Sequence, residues 1–341
     1  MHNHTQDISP DLSQDSSPIV EKALQGFPTH LCIELERVIG GGGIVPADLV
    51  QHICKELDSD TESLMLRLIP LAAAYAEAPV SGYYVGAVVR GQRQNANGYA
   101  ALYLGANMEF PQRALCHSLH AEQAAVANAW KNREPDITSI AVSAPPCGHC
   151  RQFLYELYGP NSLKVIFPDG TEGNCRETSI TELLPGAFGP ADLGHKGGMM
   201  AVNTTPSPLE LEFGAIDALI LKALEAASYS YAPYTKNYAG CALLMHDGSI
   251  FSGSYAENAA HNPGLSPLHA ALSNMRMACD PRTTAGNLHK IVRCVLVETA
   301  ADISQRELVA TLLSSIAPNL VPEYYPSRAI DGATDPLDRF E

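Results

Sequence analysis

The sequence contains no uninterrupted apolar run near the roughly 20 residues that a membrane-crossing helix needs, so a helical membrane protein is not expected. Its first residues, Met1 to Pro18, are polar and rich in Ser and Asp. They lack the basic start and apolar centre of a secretory signal, so a cytoplasmic location and a disordered tail over 1–18 are expected. Basic residues are scarce: 22 Lys and Arg stand against 37 Asp and Glu, giving a formal net charge of −15. That balance repels phosphate backbones, and no basic stripe offsets it, so no nucleic-acid partner is expected. A disulfide framework is missing too. The nine cysteines are odd in number, and Cys32, Cys54, Cys116, Cys175, Cys241, Cys279 and Cys294 stand alone. Only Cys147 and Cys150 form a close pair, which suits a reduced compartment and a metal or redox role.

What is present is an ordinary globular composition, 46% hydrophobic and 17% charged over 341 residues. At roughly 100 to 200 residues per domain, that length suggests two domains, or two with a minor third. Ile19–Ile39 and Pro46–Leu57 carry apolar residues at helical spacing, separated by the run Gly40–Gly43. No Lys-Ser or Lys-Thr follows those glycines, so they are expected to form a flexible connector and not a phosphate loop. The pattern changes from Ser63. It predicts a helix around Leu71–Ala76 with Pro70 at its start, strands at Tyr84–Val89 and Tyr99–Leu104, and an alanine-rich helix over His120–Trp130. A strand at Ile137–Ser143, a helix at Gly148–Leu157 and a strand at Leu163–Phe167 follow. This alternation implies an α/β fold with helices covering a sheet.

The chain also repeats itself. Ala78-Pro79 through Gly86-Ala87 recurs as Ala232-Pro233 through Gly240-Cys241, and Gly105-Ala106-Asn107-Met108-Glu109 has a counterpart in Gly253-Ser254-Tyr255-Ala256-Glu257. On the same reading Leu119-His120-Ala121-Glu122 pairs with Leu268-His269-Ala270-Ala271. No Cys-x-x-Cys follows the second copy, so the second half is expected to be a degenerate duplicate.

In the first half Cys147-Gly148-His149-Cys150 follows Pro145-Pro146, where a strand should end and a helix begin. Thiols at a helix N-terminus favour the thiolate that binds zinc. With His120 they make three ligands for a tetrahedral ion, the number that leaves a position open in catalytic zinc sites. Glu122, two residues beyond His120, is better placed as a proton shuttle than as a ligand. Alone, a Cys-x-x-Cys is more often structural zinc or a redox pair than a catalytic site, and His-x-Glu alone says less. His149 is expected to face away, and Cys116 and His117 to sit on the turn leading in.

His-x-Glu followed by Pro-Cys-x-x-Cys is the signature of the zinc deaminases, and both parts are present without substitution. With these residues in view the sequence resembles the cytidine deaminases of the long-chain, homodimeric type, over nearly the whole chain after the tail. The resemblance implies a three-layer α/β/α sandwich: a small helical domain over 19–60, a catalytic domain over 61–187, a linker over 188–206 and a zinc-free copy over 207–341. It implies one Zn2+ per subunit and a small nucleoside substrate. The reaction would be hydrolysis of cytidine and 2′-deoxycytidine to uridine and 2′-deoxyuridine plus ammonia, through a zinc-activated hydroxide, in pyrimidine salvage. By the same resemblance, Asn107 and Glu109 bind the sugar near its 3′-hydroxyl. Tyr83 stands where the family places a phenylalanine against the pyrimidine, and Phe188 covers the site of a neighbouring subunit in a homodimer. A deaminase acting on bases in nucleic acid would need a basic channel, and a nucleotide deaminase would need cations for the 5′-phosphate. A nucleoside-binding or structural-zinc protein would hold zinc and release no ammonia.

Overall fold

In the computed structural model, residues 17–169, 174–201, 206–214, 216–283 and 290–330 are described. Most of the expected tail, 1–16, lies outside the described residues, as do parts of the expected linker and of the second half. Gly26 and Pro28 divide the first helical stretch into α1 (Ser17–Leu24) and α2 (Thr29–Leu35), where one run over Ile19–Ile39 was expected. Pro28 has no amide hydrogen with which to continue a helix and stands instead at the N-cap of α2. Pro46 does the same for α3 (Ala47–Glu56).

The glycine run between them is an ordered turn rather than a flexible connector. Gly40, Gly42 and Gly43 take φ of 72°, 89° and 64°, a region that side chains with a Cβ avoid. The Gly43 carbonyl accepts from Leu104 N at 2.8 Å, and Asn128 Nδ2 reaches the Gly42 carbonyl at 2.8 Å. The turn delivers β1 (Ile44–Val45) to the edge of the first sheet. The next helix, α4 (Thr61–Ala73), begins well before Leu71, because the Asp60 carboxylate caps it by accepting from Ser63 N at 2.7 Å. Pro70 therefore lies inside α4 and not at its start.

The first sheet contains β2 (Gly86–Gln94), β3 (Ala100–Ala106), β4 (Ile137–Val142), β5 (Lys164–Pro168) and β6 (Cys175–Ser179), in the order β1-β3-β2-β4-β5-β6. Only β4 and β5 run parallel. Alternate side chains face opposite layers. Val88, Leu102 and Leu104 join α1–α4 in one apolar cluster, whereas Ala87, Val89 and Tyr103 pack with α5 (Ala121–Lys131) in another. The N-terminal helices thus share their core with the sheet. After β4 comes α6 (Gly148–Tyr155), and after β6 the short α7 (Ile180–Leu183).

The second sheet is built from β7 (Leu209–Leu211), β8 (Ala239–Met245), β9 (Ile250–Ser254), β10 (Ile291–Thr299) and β11 (Glu323–Ala329), ordered β7-β11-β10-β8-β9. Its helices are α8 (Ala218–Ser228), α9 (Pro267–Ala278) and α10 (Arg306–Ile316). The order β3-β2-β4-β5 recurs as β9-β8-β10-β11, with the one parallel pair in the same place. The apolar cluster around α5 continues through α9 into the second sheet, so one core joins the two halves.

Glycines set how closely helix and sheet approach in both copies. A Cβ on Gly105 would sit 2.1 Å from Ala125 N, and one on Gly253 would sit 2.2 Å from Ala271 N. These contacts also correct the alignment of the halves. Leu119 exchanges backbone hydrogen bonds with Met108, and Leu265 does so with Ala256. Asn128 Nδ2 donates to the Leu104 carbonyl, and Asn274 Nδ2 to that of Ser252. Leu119, Ala125 and Asn128 therefore match Leu265, Ala271 and Asn274 without a gap. His120 falls on Ser266, Glu122 on Leu268 and Gln123 on His269. The Leu-His-Ala likeness at Leu268 is out of register with the fold, because glycine contacts and strand pairing, not identity, fix which residues correspond. Gly105→Ala is expected to lower stability by about 1–3 kcal/mol through overpacking against α5, read from the denaturant midpoint. An unchanged midpoint would mean that sheet and helix can separate at no cost.

Candidate active site

Backbone pairing brings the site together. Met108 N donates to the Leu119 carbonyl and Leu119 N to the Met108 carbonyl, both at 2.9 Å. The end of β3 is thereby fixed beside the entry to α5. His120 is the N-cap of α5, with extended φ and ψ of −87° and 153°, and Gln123 Oε1 accepts its amide hydrogen at 3.2 Å. Cys147 is likewise the N-cap of α6, and Cys150 lies in that helix's first turn.

The three ligand atoms converge. His120 Nδ1 lies 3.6 Å from Cys147 Sγ and 3.3 Å from Cys150 Sγ, and the two sulfurs are 3.6 Å apart. Zinc–sulfur bonds of about 2.3 Å and zinc–nitrogen bonds of about 2.0 Å at tetrahedral angles span edges of roughly 3.5–3.8 Å. The trio therefore fits zinc on one triangular face and leaves the opposite vertex to the cavity. Among the described residues it is the only group of three or more His, Cys, Asp or Glu side chains so arranged. Hydrogen bonds from Cys150 and His120 pull the Cys147 thiol down to about 3. The shared proton and burial push Cys150 up, and the bond with Cys147 raises His120.

Glu122 is buried, and desolvation raises its carboxyl above the ordinary range. It faces a cavity of about 360 Å³ lined also by Tyr83, Asn107, Glu109, His120 and Cys147. A volume of that order suits a small ligand. No Lys or Arg is among its lining residues. Asn107 Oδ1 accepts from Val85 N at 2.8 Å, and its Nδ2 donates to the Tyr83 carbonyl at 2.9 Å. Glu109 accepts from Val80 N, Ser81 N and Ser81 Oγ. Burial pushes its carboxyl up, but the bonds from Ser81 and Val80 outweigh burial and hold it below its ordinary value.

One expected position differs. His149 turns toward the site, its ring stacked on that of His120 with centroids 5.0 Å apart, yet it adds no atom to the trio. The α6 backbone sets this: one residue after Gly148, the ring can lie over its neighbour across the two helix N-termini. Phe188 does not line the cavity. Within one chain it is half exposed, and its carbonyl accepts from Gln152 Nε2 at 2.7 Å. Cys116 and His117 sit on a single helical turn, Leu115–His117, before His120. Ser81, Leu115 and Ser118 wall the cavity without having been singled out from sequence. Ser81 had one visible signal, since Thr235 keeps a hydroxyl at the matching place in the repeat. There Thr235 Oγ1 and the amides of Tyr234 and Thr235 bond Glu257.

Two models described as "Cytidine and deoxycytidylate deaminase zinc-binding region" match the chain, one over residues 59–165 and the other over 180–310. A cytidine deaminase of Aliivibrio fischeri is 38% identical over 308 residues, covering 89% of this chain and 97% of the relative. The chain belongs to the cytidine deaminase family. A cytidine deaminase of Photobacterium profundum is 40% identical over 271 residues, 78% of this chain and 83% of its own. The solved structure of a cytidine deaminase from Burkholderia pseudomallei overlaps 38% of this chain and 100% of its own at 29% identity, with a TM-score of 0.31. The match over 180–310 spans the half in which Ser266 and Leu268 occupy the places of His120 and Glu122, so this family member has one complete His-Cys-Cys group among its described residues.

In metal-free protein, iodoacetamide at pH 5 is expected to label Cys147 before the buried Cys150, because only the former is thiolate at that pH. Equal labelling by peptide mapping would contradict the assigned thiolate.

Proposed function

We propose that this protein hydrolyses the exocyclic amine of cytidine and 2′-deoxycytidine, giving uridine or 2′-deoxyuridine and ammonia, in pyrimidine salvage. The carrying observation is that one cavity is lined by His120, Cys147, the buried Glu122, and Asn107 with Glu109, while Cys150 completes the metal trio directly behind His120 and Cys147. In this reading the trio holds one Zn2+ per subunit. When bound, zinc supplies a Lewis acid that lowers the pKa of a water toward neutrality.

Glu122 accepts a proton from the attacking water and delivers it to N3 of the base. The water oxygen bonds to C4 as the C4–N3 double bond opens, leaving C4 tetrahedral. Glu122 then takes the remaining proton of the new C4 hydroxyl and hands it to the amine, and the C4–N4 bond breaks as the C4 carbonyl forms and ammonia leaves. Burial suits Glu122 to this traffic, since a raised carboxyl both takes and gives protons nearer neutral pH. Asn107 and the ionised Glu109 bind the sugar near its 3′-hydroxyl, and Tyr83 lies against the pyrimidine. Phe188 would cover the cavity of a second copy in a homodimer, which accords with its exposure in one chain.

The absence of Lys and Arg from the cavity lining favours a nucleoside over a nucleotide, and the net charge of −15 speaks against nucleic acid. No described helix is long and apolar enough to cross a membrane. A cytoplasmic location suits the cysteines, which are all free thiols. The reading divides the chain into a helical unit over 19–60, a catalytic unit over 61–187, a linker over 188–206 and a zinc-free copy over 207–341.

Ammonia release from cytidine, with zinc content measured in parallel, tests this. Glu122→Ala is expected to lose roughly 10²- to 10⁴-fold in turnover while keeping its zinc. Full activity in that variant would remove Glu122 from the mechanism, and a zinc-loaded parent releasing no ammonia would leave a binding protein. Cys147→Ala is expected to lose the metal, measured by elemental analysis after dialysis.

A further inference from the structure

His269 belongs to the half without zinc ligands, yet its side chain enters the catalytic half. Its Nε2 lies 2.7 Å from the His117 carbonyl, and its ring packs on Phe110 with centroids 5.3 Å apart. Phe110 directly follows Glu109, and His117 lies three residues before His120. The ring therefore touches both ends of the loop that leaves the sugar-binding motif and returns to the metal trio. Leu115 on that loop and Ser118 just after it wall the cavity. A second element of the same half holds the loop as well: Arg113 donates to the Thr311 carbonyl at 2.9 Å and to Ser314 Oγ at 2.7 Å, both on α10.

The contact has a mirror image. Gln123, which the fold matches to His269, donates through Nε2 to the carbonyls of Pro263 and Gly264, each at 3.4 Å. Those residues occupy the places of His117 and Ser118 in the second half. Each half thus sends one side-chain N–H from the first turn of its central helix to the loop preceding that of the other. His269 is a partner in this reciprocal pair, and its position is not that of a zinc ligand.

We propose that His269 is a positioning residue for the active-site loop, and that the zinc-free half serves catalysis in cis by holding that loop against the cavity. This rests on the deaminase reading for its effect on turnover, but the contact itself does not. A carbonyl acceptor requires the proton on Nε2. Burial favours the neutral ring, whose value is lowered to about 4, so the bond persists throughout the working pH range. Through Leu119 the loop is bonded to Met108, which stands between Asn107 and Glu109. Loosening it should weaken substrate binding before it weakens chemistry.

Two variants of the full chain separate the hydrogen bond from packing. His269→Phe keeps a ring against Phe110 and deletes the donor; His269→Gln restores a donor of the kind Gln123 supplies on the mirror side. His269→Phe is expected to raise KM for cytidine about five- to tenfold, with kcat nearly unchanged and zinc retained. Amide exchange over residues 115–119 should also quicken. His269→Gln is expected to recover both properties. A Phe variant equal to the parent in KM and exchange would overturn the proposal, as would a Gln variant no better than Phe. If the parent itself released no ammonia, the deaminase reading would fall, and the exchange comparison alone would still decide whether His269 holds the loop.

Discussion

Met108 and Leu119 exchange both of their backbone hydrogen bonds, and that bridge fixes the two sides of the cavity relative to each other. On one side it presents Asn107 and Glu109 at the end of β3; on the other it starts α5 with His120 and Glu122. The bridge depends in turn on how closely α5 lies on the sheet, which Gly105 allows by having no side chain. A helix only slightly farther out would carry His120 away from the two sulfurs on α6. The metal trio is therefore a consequence of packing between a helix and a strand as much as of its own three side chains.

Electrostatics inside the cavity run against the character of the whole molecule. A chain with a net charge of −15 places a buried carboxyl, the Cys147 thiol and a second carboxylate around one small space with no Lys or Arg lining it. Such an arrangement is costly unless each charge is bonded or a cation is shared. Glu109 is satisfied by Ser81 and Val80. Cys147 is satisfied by His120 and Cys150, which is the geometry that zinc takes over. Glu122 is left with burial as its dominant influence, which sets it apart from the bonded groups around it.

The two halves show which parts of a fold survive when chemistry is dropped. Strand order, the close-packing glycines and the carboxylate cradle persist in the second half, where Glu257 repeats the bonds of Glu109. His120 and Glu122 do not persist, since Ser266 and Leu268 stand in their places. The second half nevertheless remains tied to the first through a shared apolar core. Glu156 is also buried there, accepting from Tyr231 OH, Tyr234 OH and Ala259 N. Glu156 follows directly on α6, so the helix carrying Cys150 is anchored in the second half.

Much of the site could be read from the chain because its chemistry is local. The spacing of His120 and Glu122, of Cys147 and Cys150, and the Pro145-Pro146 stop place ligands at helix starts, where backbone geometry over a few residues decides the outcome. The boundaries of β3 to β5, the start of β2 and the placing of α5 and α6 follow from the same short-range patterns, whereas β2 runs on past the expected Val89 to Gln94. The extent of α4, the order in the glycine turn and the direction of His149 do not, because an N-cap, a pairing to Leu104 and a neighbouring ring set them. By itself the sequence determined the duplication and singled out His120, Cys147 and Cys150 as a metal trio with Glu122 beside it. Tertiary structure alone decided that His269 matches Gln123, and that its N–H lies on the His117 carbonyl. The reason is physical: correspondence between two halves and contact across them depend on how helices pack on sheets, and packing joins residues that no spacing along the chain connects.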